Sequence, residues 1–125
     1  MRDVLDYGAR VSRPGLNLLN APGNDLVSST ALAAAGAQIV LFTTGRGTPF
    51  SAPVPTVKIS SNTPLAMRKK NWIDFDCGTL TGKESRSQLD ERFFSYVLQV
   101  ASGRQTAAER AGYQDMAIFK RGVTL

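Results

Sequence analysis

The sequence predicts an α/β domain: a short, mostly parallel sheet flanked by helices in a three-layer, Rossmann-like arrangement. Three observations carry that expectation. A chain of 125 residues is the size of one domain and can bury a core without disulfides or structural metal. Two apolar segments, Leu16 to Leu19 and Ala37 to Thr43, flank an alanine-rich stretch, which gives the strand, helix, strand order of a parallel βαβ unit. Within the second segment, Ile39, Val40, Leu41 and Phe42 are continuously apolar, the pattern of a strand covered on both faces by helices.

The elements follow in chain order. Leu16 to Leu19 reads as a short strand halted by the turn signature Ala21-Pro22-Gly23. Asn24 or Asp25 can cap the helix that comes next, Ala31 to Ala35 favour it, and Gly36 is placed to end it. After the second strand, a loop holding Pro49, Pro53 and Pro55 leads to Thr56-Val57-Lys58-Ile59-Ser60, whose β-branched alternation predicts a third strand. Asn62-Thr63-Pro64 opens a short helix, with Pro64 suited to its first turn. Trp72 to Asp76 alternates apolar and acidic side chains, as a half-buried fourth strand or an extended lead into Gly78 would, with both carboxylates on one face. Ser85 with Gln88 is a capping-box pattern; Leu89, Phe93, Val97 and Val100 then share a helix face, and Gly103 is placed to end it. Thr106 with Glu109 repeats the pattern before Gly112. Residues 16–125 thus read as one domain, and residues 1–15 as an arm or the remnant of a preceding domain.

Composition narrows the function classes. An apolar share of 42% and a charged share of 20% sit near the globular average, which argues against a disordered chain or a coiled coil. Cys77 is the only cysteine and there is no histidine, so neither an internal disulfide nor a Cys/His zinc site can form, and a reducing, cytoplasmic setting is expected. The charged amino-terminal residues do not resemble a signal peptide, and no apolar stretch is long enough to span a membrane. The net charge of +5 comes from scattered basic residues clustered only at Arg68-Lys69-Lys70, so a nucleic-acid groove is not strongly indicated, a small anion explains the surplus about as well, and the cluster itself reads as a solvated helix end.

In an open parallel sheet, ligands bind beyond the carboxyl ends of the strands. Two glycine-containing loops are expected to meet there, Pro22-Gly23-Asn24-Asp25 and Thr43-Thr44-Gly45-Arg46-Gly47-Thr48. Glycines let backbone N–H groups approach an oxyanion, and an arginine can grip a carboxylate with two hydrogen bonds. Arg46, with Gly45, Gly47 and Thr48, is therefore the first substrate-binding candidate, and Asn24 and Asp25 the second; the plain alternative makes Gly45 and Gly47 turn residues and Arg46 a surface side chain. Neither a P-loop nor a dinucleotide fingerprint is present. Lys58 is either a solvated strand lysine or a base or carboxylate partner. Asp74 and Asp76 could jointly hold a metal or simply face solvent. Ser28, Ser29 and Thr30 could bind sugar hydroxyls or pack against backbone. Cys77, with no histidine base, is a poor nucleophile.

The stretches PGLNLL (14–19), APGND (21–25), AGAQIVLFTTGRGTP (35–49), PTVKI (55–59), WIDFD (72–76), GRQT (103–106) and AIFKRGVTL (117–125) resemble the carboxyl-terminal part of the galactarate/altronate dehydratase family, and the galactarate branch more than the altronate branch. A related branch is the large subunit of sulfolactate sulfo-lyase. The resemblance implies a fragment lacking the family's amino-terminal and middle domains, inactive alone. It implies a parent that removes water from galactarate, a sugar diacid, to give 5-keto-4-deoxyglucarate, with a divalent metal, iron, as cofactor and the ligands for it on the absent domains. A homo-oligomer is compatible with it, as are two rivals: a sulfo-lyase domain, and a scaffold that only makes domain or subunit contacts.

Overall fold

The computed structural model describes residues 1–82 and 84–118; residues 119–125, most of the closing segment that carries the resemblance, lie outside the described residues. Along the chain come β1 (Asp3–Leu5), β2 (Asn17–Leu19), α1 (Asp25–Ala35), β3 (Val40–Thr44), β4 (Thr56–Ser60), α2 (Thr63–Arg68) and β5 (Phe75–Asp76). A 3₁₀ turn at Gly78–Thr81, α3 (Arg86–Ala101) and α4 (Ala107–Arg110) follow. This is an α/β domain with short parallel ladders.

The helix ends follow the local signals. Asn24 accepts from the backbone N–H groups of Leu26 and Val27 to start α1, and Gly36 closes it. Asn62 caps α2, while Ser85 with Gln88 and Thr106 with Glu109 form reciprocal capping boxes on α3 and α4.

Strand pairing departs from the expected βαβ unit. β2 pairs in parallel with β1, Val4 opposite Leu18, whereas β3, β4 and β5 form a separate parallel ladder in that order. The two strands flanking α1 therefore do not share a sheet. The arm is bonded in place instead: Arg2 N donates to Leu16 O, Asn20 N to Leu5 O, and Val11 N to Ala35 O at the end of α1. The stretch from Trp72 to Asp76 forms a strand only at its last two residues, although Asp74 N also donates to Lys58 O.

Burial reverses the expectation for two strands. β3, the apolar run, lies at the ladder's edge and alternates, with Leu41 47% exposed, so it is not covered on both faces. β4, the polar-looking strand, is central and buried at every position. The physical reason lies in what covers each face. Val57 and Ile59 join Phe75, Leu89, Tyr96 and Val100 in the main core under α3. Thr56, Lys58 and Ser60 point to the opposite face. There the segment 45–55 connects β3 to β4 without a helix, and its buried backbone groups need partners. Thr56 Oγ1 accepts from Ala52 N and donates to Val54 O, and Lys58 Nζ donates to Thr48 O and Phe50 O. Polar side chains are present on a buried face because a loop, rather than a helix, lies on it.

Candidate functional site

β3, β4 and β5 are parallel, so Thr44, Ser60 and Asp76 end on one edge of the ladder. The loops beyond them are tied together. Thr44 Oγ1 accepts from Arg46 N (3.3 Å) and Gly47 N (2.9 Å), and Thr44 O accepts from Ser61 N (3.0 Å). Asn62 uses its side-chain oxygen to cap Leu65 N (2.9 Å) and its amide to reach Gly45 O (3.2 Å), so one residue starts α2 and holds the neighbouring loop. Lys69 Nζ donates to Arg46 O (3.1 Å) while lying 4.2 Å from the centroid of the Trp72 ring. Gly47 has φ 81°, and an added Cβ would stand 3.2 Å from a Lys69 side-chain carbon and 3.3 Å from Leu65, so backbone conformation and space both favour glycine.

The outcome is a fixed backbone bearing a free cation. Arg46 is exposed, and its guanidinium has no partner among the described residues. The ammonium of Lys69 donates to that same residue's carbonyl, placing a second positive charge at the loop. Such a loop is suited to a carboxylate or another small oxyanion.

Beneath the loop is Lys58, 0% exposed, which excludes the solvated reading. Its ammonium donates to Thr48 O (2.9 Å) and Phe50 O, and lies 4.5 Å from the Phe50 ring centroid and 5.8 Å from that of Phe42. Burial pushes it down to about 8, against the opposing pull of Asp74 and Asp115.

Other candidates are placed elsewhere or already engaged. The Asn24 side chain is occupied in capping α1, and no hydrogen bond or ion pair joins Asn24 or Asp25 to the Arg46 loop among the described residues. The preceding strand, β2, belongs to the other ladder. Ser28 Oγ and Thr30 Oγ1 donate to the carbonyls of Asp25 and Leu26, and Thr30 also accepts from Ala117 N, so these hydroxyls serve backbone. Asp74 accepts from Lys58 N and Ala107 N and from the Tyr96 hydroxyl, while Asp76 accepts from Gly78 N. Those carboxylates are engaged, and no group of three or more potential metal ligands occurs among the described residues. Burial pushes the Cys77 thiol up, away from nucleophilic use.

Sequence reasoning missed the third loop of this edge. After β5, Gly78 packs so closely on the start of α2 that an added Cβ would lie 2.1 Å from Thr63 N. Beside it, Arg92 makes paired bonds to Glu84 (3.0 and 2.9 Å) and also donates to Asp76 O and Thr79 Oγ1. The Arg92 and Thr79 bonds hold the Glu84 carboxyl below its ordinary range. Gly78, Thr79, Glu84 and Arg92 line an open cleft of about 720 Å³ together with Thr63, Gly82 and Gln88. Arg92 and Glu84 are eight positions apart across a cap, a spacing that carries no local signal. No helix among the described residues is long and apolar enough to cross a membrane.

Comparison with known proteins agrees with the resemblance and corrects its finer branch. The family model "D-galactarate/Altronate dehydratase, C-terminal" matches residues 1–124. The altronate dehydratase of Escherichia coli (strain K12) is 55% identical over 98% of the chain, and that of Bacillus subtilis (strain 168) is 53% identical over 98%. The galactarate dehydratase (L-threo-forming) of Escherichia coli (strain K12) is 36% identical over 94%. The chain is thus more similar to these altronate dehydratases than to that galactarate dehydratase, the reverse of the expected branch. It spans 25%, 25% and 23% of those three relatives. The match along almost all of its length shows that the chain belongs to the D-galactarate/altronate dehydratase family, in which it corresponds to the C-terminal region.

Proposed function

We propose that this region serves a sugar-acid hydro-lyase whose substrate is altronate, and that its part is to hold the substrate's carboxylate on the Gly45 to Thr48 loop. The observation that carries the site is the exposed Arg46 guanidinium, without a partner among the described residues, on a loop fastened by Thr44, Asn62 and Lys69 at the carboxyl edge of a parallel ladder. The choice of altronate is supported by 55% and 53% identity to altronate dehydratases, against 36% for a galactarate dehydratase.

Dehydration of such an acid removes the proton beside the carboxylate and expels the neighbouring hydroxyl. Negative charge builds on the carboxylate as the proton leaves. A guanidinium held in two hydrogen bonds to that group is worth more in the transition state than in the ground state. The base, the acid for the leaving hydroxyl and any divalent metal such as iron belong, in this reading, to the parts of the protein that precede this region, and the region alone is inactive.

The test is Arg46→Ala in the longer protein, assayed on altronate and galactarate. Loss of a charged hydrogen-bonding pair predicts a fall in kcat/KM of roughly 10- to 100-fold with the fold retained. An unchanged kcat/KM would overturn the carboxylate grip, and faster wild-type turnover of galactarate than altronate would overturn the substrate.

A further inference from the structure

We infer that Lys58 is a positioning residue: its buried ammonium clamps the carbonyls of Thr48 and Phe50 from below and so fixes the loop from which Arg46 meets the substrate. The inference rests on the carboxylate-grip reading above.

The geometry is specific. Lys58 is at the middle of β4, paired with Phe42 of β3, and its side chain lies on the face covered by the segment 45–55. The two carbonyls that it holds flank Pro49, just beyond Gly47. The Phe42 and Phe50 rings, in edge contact at 5.2 Å between centroids, stand beside the ammonium. At this contact Thr48 and Phe50 present their backbone carbonyls, two acceptors that one ammonium with three donors can meet together.

Above the clamp, the loop is held from the other side. Thr44 fixes the Arg46 and Gly47 amides, Asn62 the Gly45 carbonyl and Lys69 the Arg46 carbonyl. These contacts set the start of the loop; Lys58 sets its far end. Without it, two buried carbonyls lose their donor and the segment after Gly47 is free to shift. Displacement of a positioning group by about an ångström can cost on the order of 100-fold in rate. An ammonium that already donates to two carbonyls is poorly placed to take a substrate proton, so the clamp, rather than general-base chemistry, is the role its geometry supports.

A double-mutant cycle tests this in the longer protein. Lys58→Met keeps the length of the side chain and removes its donors. It is expected to lower kcat/KM for altronate about tenfold, chiefly through KM, but less than twofold in an Arg46→Ala background, because coupled residues are not additive. Pro49→Gly, which loosens the segment between the clamped carbonyls, is expected to show the same dependence on Arg46 and serves if Lys58→Met does not fold. If either folded variant loses equally in both backgrounds, or neither loses activity, the clamp is overturned. If Arg46→Ala itself has wild-type kcat/KM, the carboxylate grip fails, and the clamp's stated purpose fails with it; a loss on Arg46→Ala without coupling leaves the grip standing and removes the clamp alone.

Discussion

Lys58 illustrates how a single residue can be legible in type and illegible in role. An alternating Thr-Val-Lys-Ile-Ser segment gives no sign that its polar positions are covered, yet Lys58 is fully buried and donates to two carbonyls. Its ammonium titrates at about 8 instead of 10.5. Between those values the unfolded chain binds more protons than the folded one, so this group makes stability rise with pH from about 8 to 10.5, and its cost is fully present below about 8. Comparing urea unfolding of the wild type and Lys58→Met at pH 7.5 and 9.5 should show the wild type gaining on the variant by on the order of 2 kcal/mol at the higher pH. A constant difference would show that the lysine is not held in a desolvated site. Asp74 is the complementary case: read as a solvent-facing or metal-binding carboxylate, it instead ties β4, α3 and α4 together through Lys58 N, the Tyr96 hydroxyl and Ala107 N.

Among the elements, helix starts and the positions of β2, β3 and β4 agree with the local signals, whereas strand pairing and burial do not. Each cap depends on residues within three or four positions, and Asn24, Asn62, Ser85 and Thr106 all start helices where their local patterns place them. A strand's burial depends on its neighbours in space. That is why the apolar β3 is an edge and the polar β4 a centre. The junction of β5 with α2 gives a test at this scale. A Cβ on Gly78 would meet backbone atoms of Thr63 at 2.1 Å and Asn62 at 2.6 Å, so the start of α2 must move. Gly78→Ala is expected to destabilise by about 1–3 kcal/mol, as overpacking does. An unchanged urea midpoint would mean that this close approach is not maintained. The same shift would disturb Asn62 and its bond to Gly45, linking a packing defect to the candidate site.

At the scale of the molecule, two parallel ladders with their helices make a region that spans about a quarter of its altronate dehydratase relatives. Its carboxyl edge offers cations but no set of metal ligands and no free base beside Arg46 among the described residues. Assayed alone on altronate, with or without ferrous iron, the chain is therefore expected to give no keto acid product, and the proposed longer protein is expected to give it. Turnover by the chain alone would place the whole reaction within these residues.

What the sequence by itself determined was local or cumulative. Helix starts are set by neighbouring caps, the α/β class by the succession of segments, and the family by stretches that run along nearly the whole chain. The Arg46 loop was visible because glycines, arginine and a preceding strand lie together in the sequence. Only the tertiary structure decided that β2 joins β1 rather than β3, that Lys58 is buried, and that Asn62 and Lys69 hold the Arg46 loop. Each of these depends on groups brought together by folding, and a hydrogen bond to a distant carbonyl leaves no mark in the local pattern of apolar and polar residues.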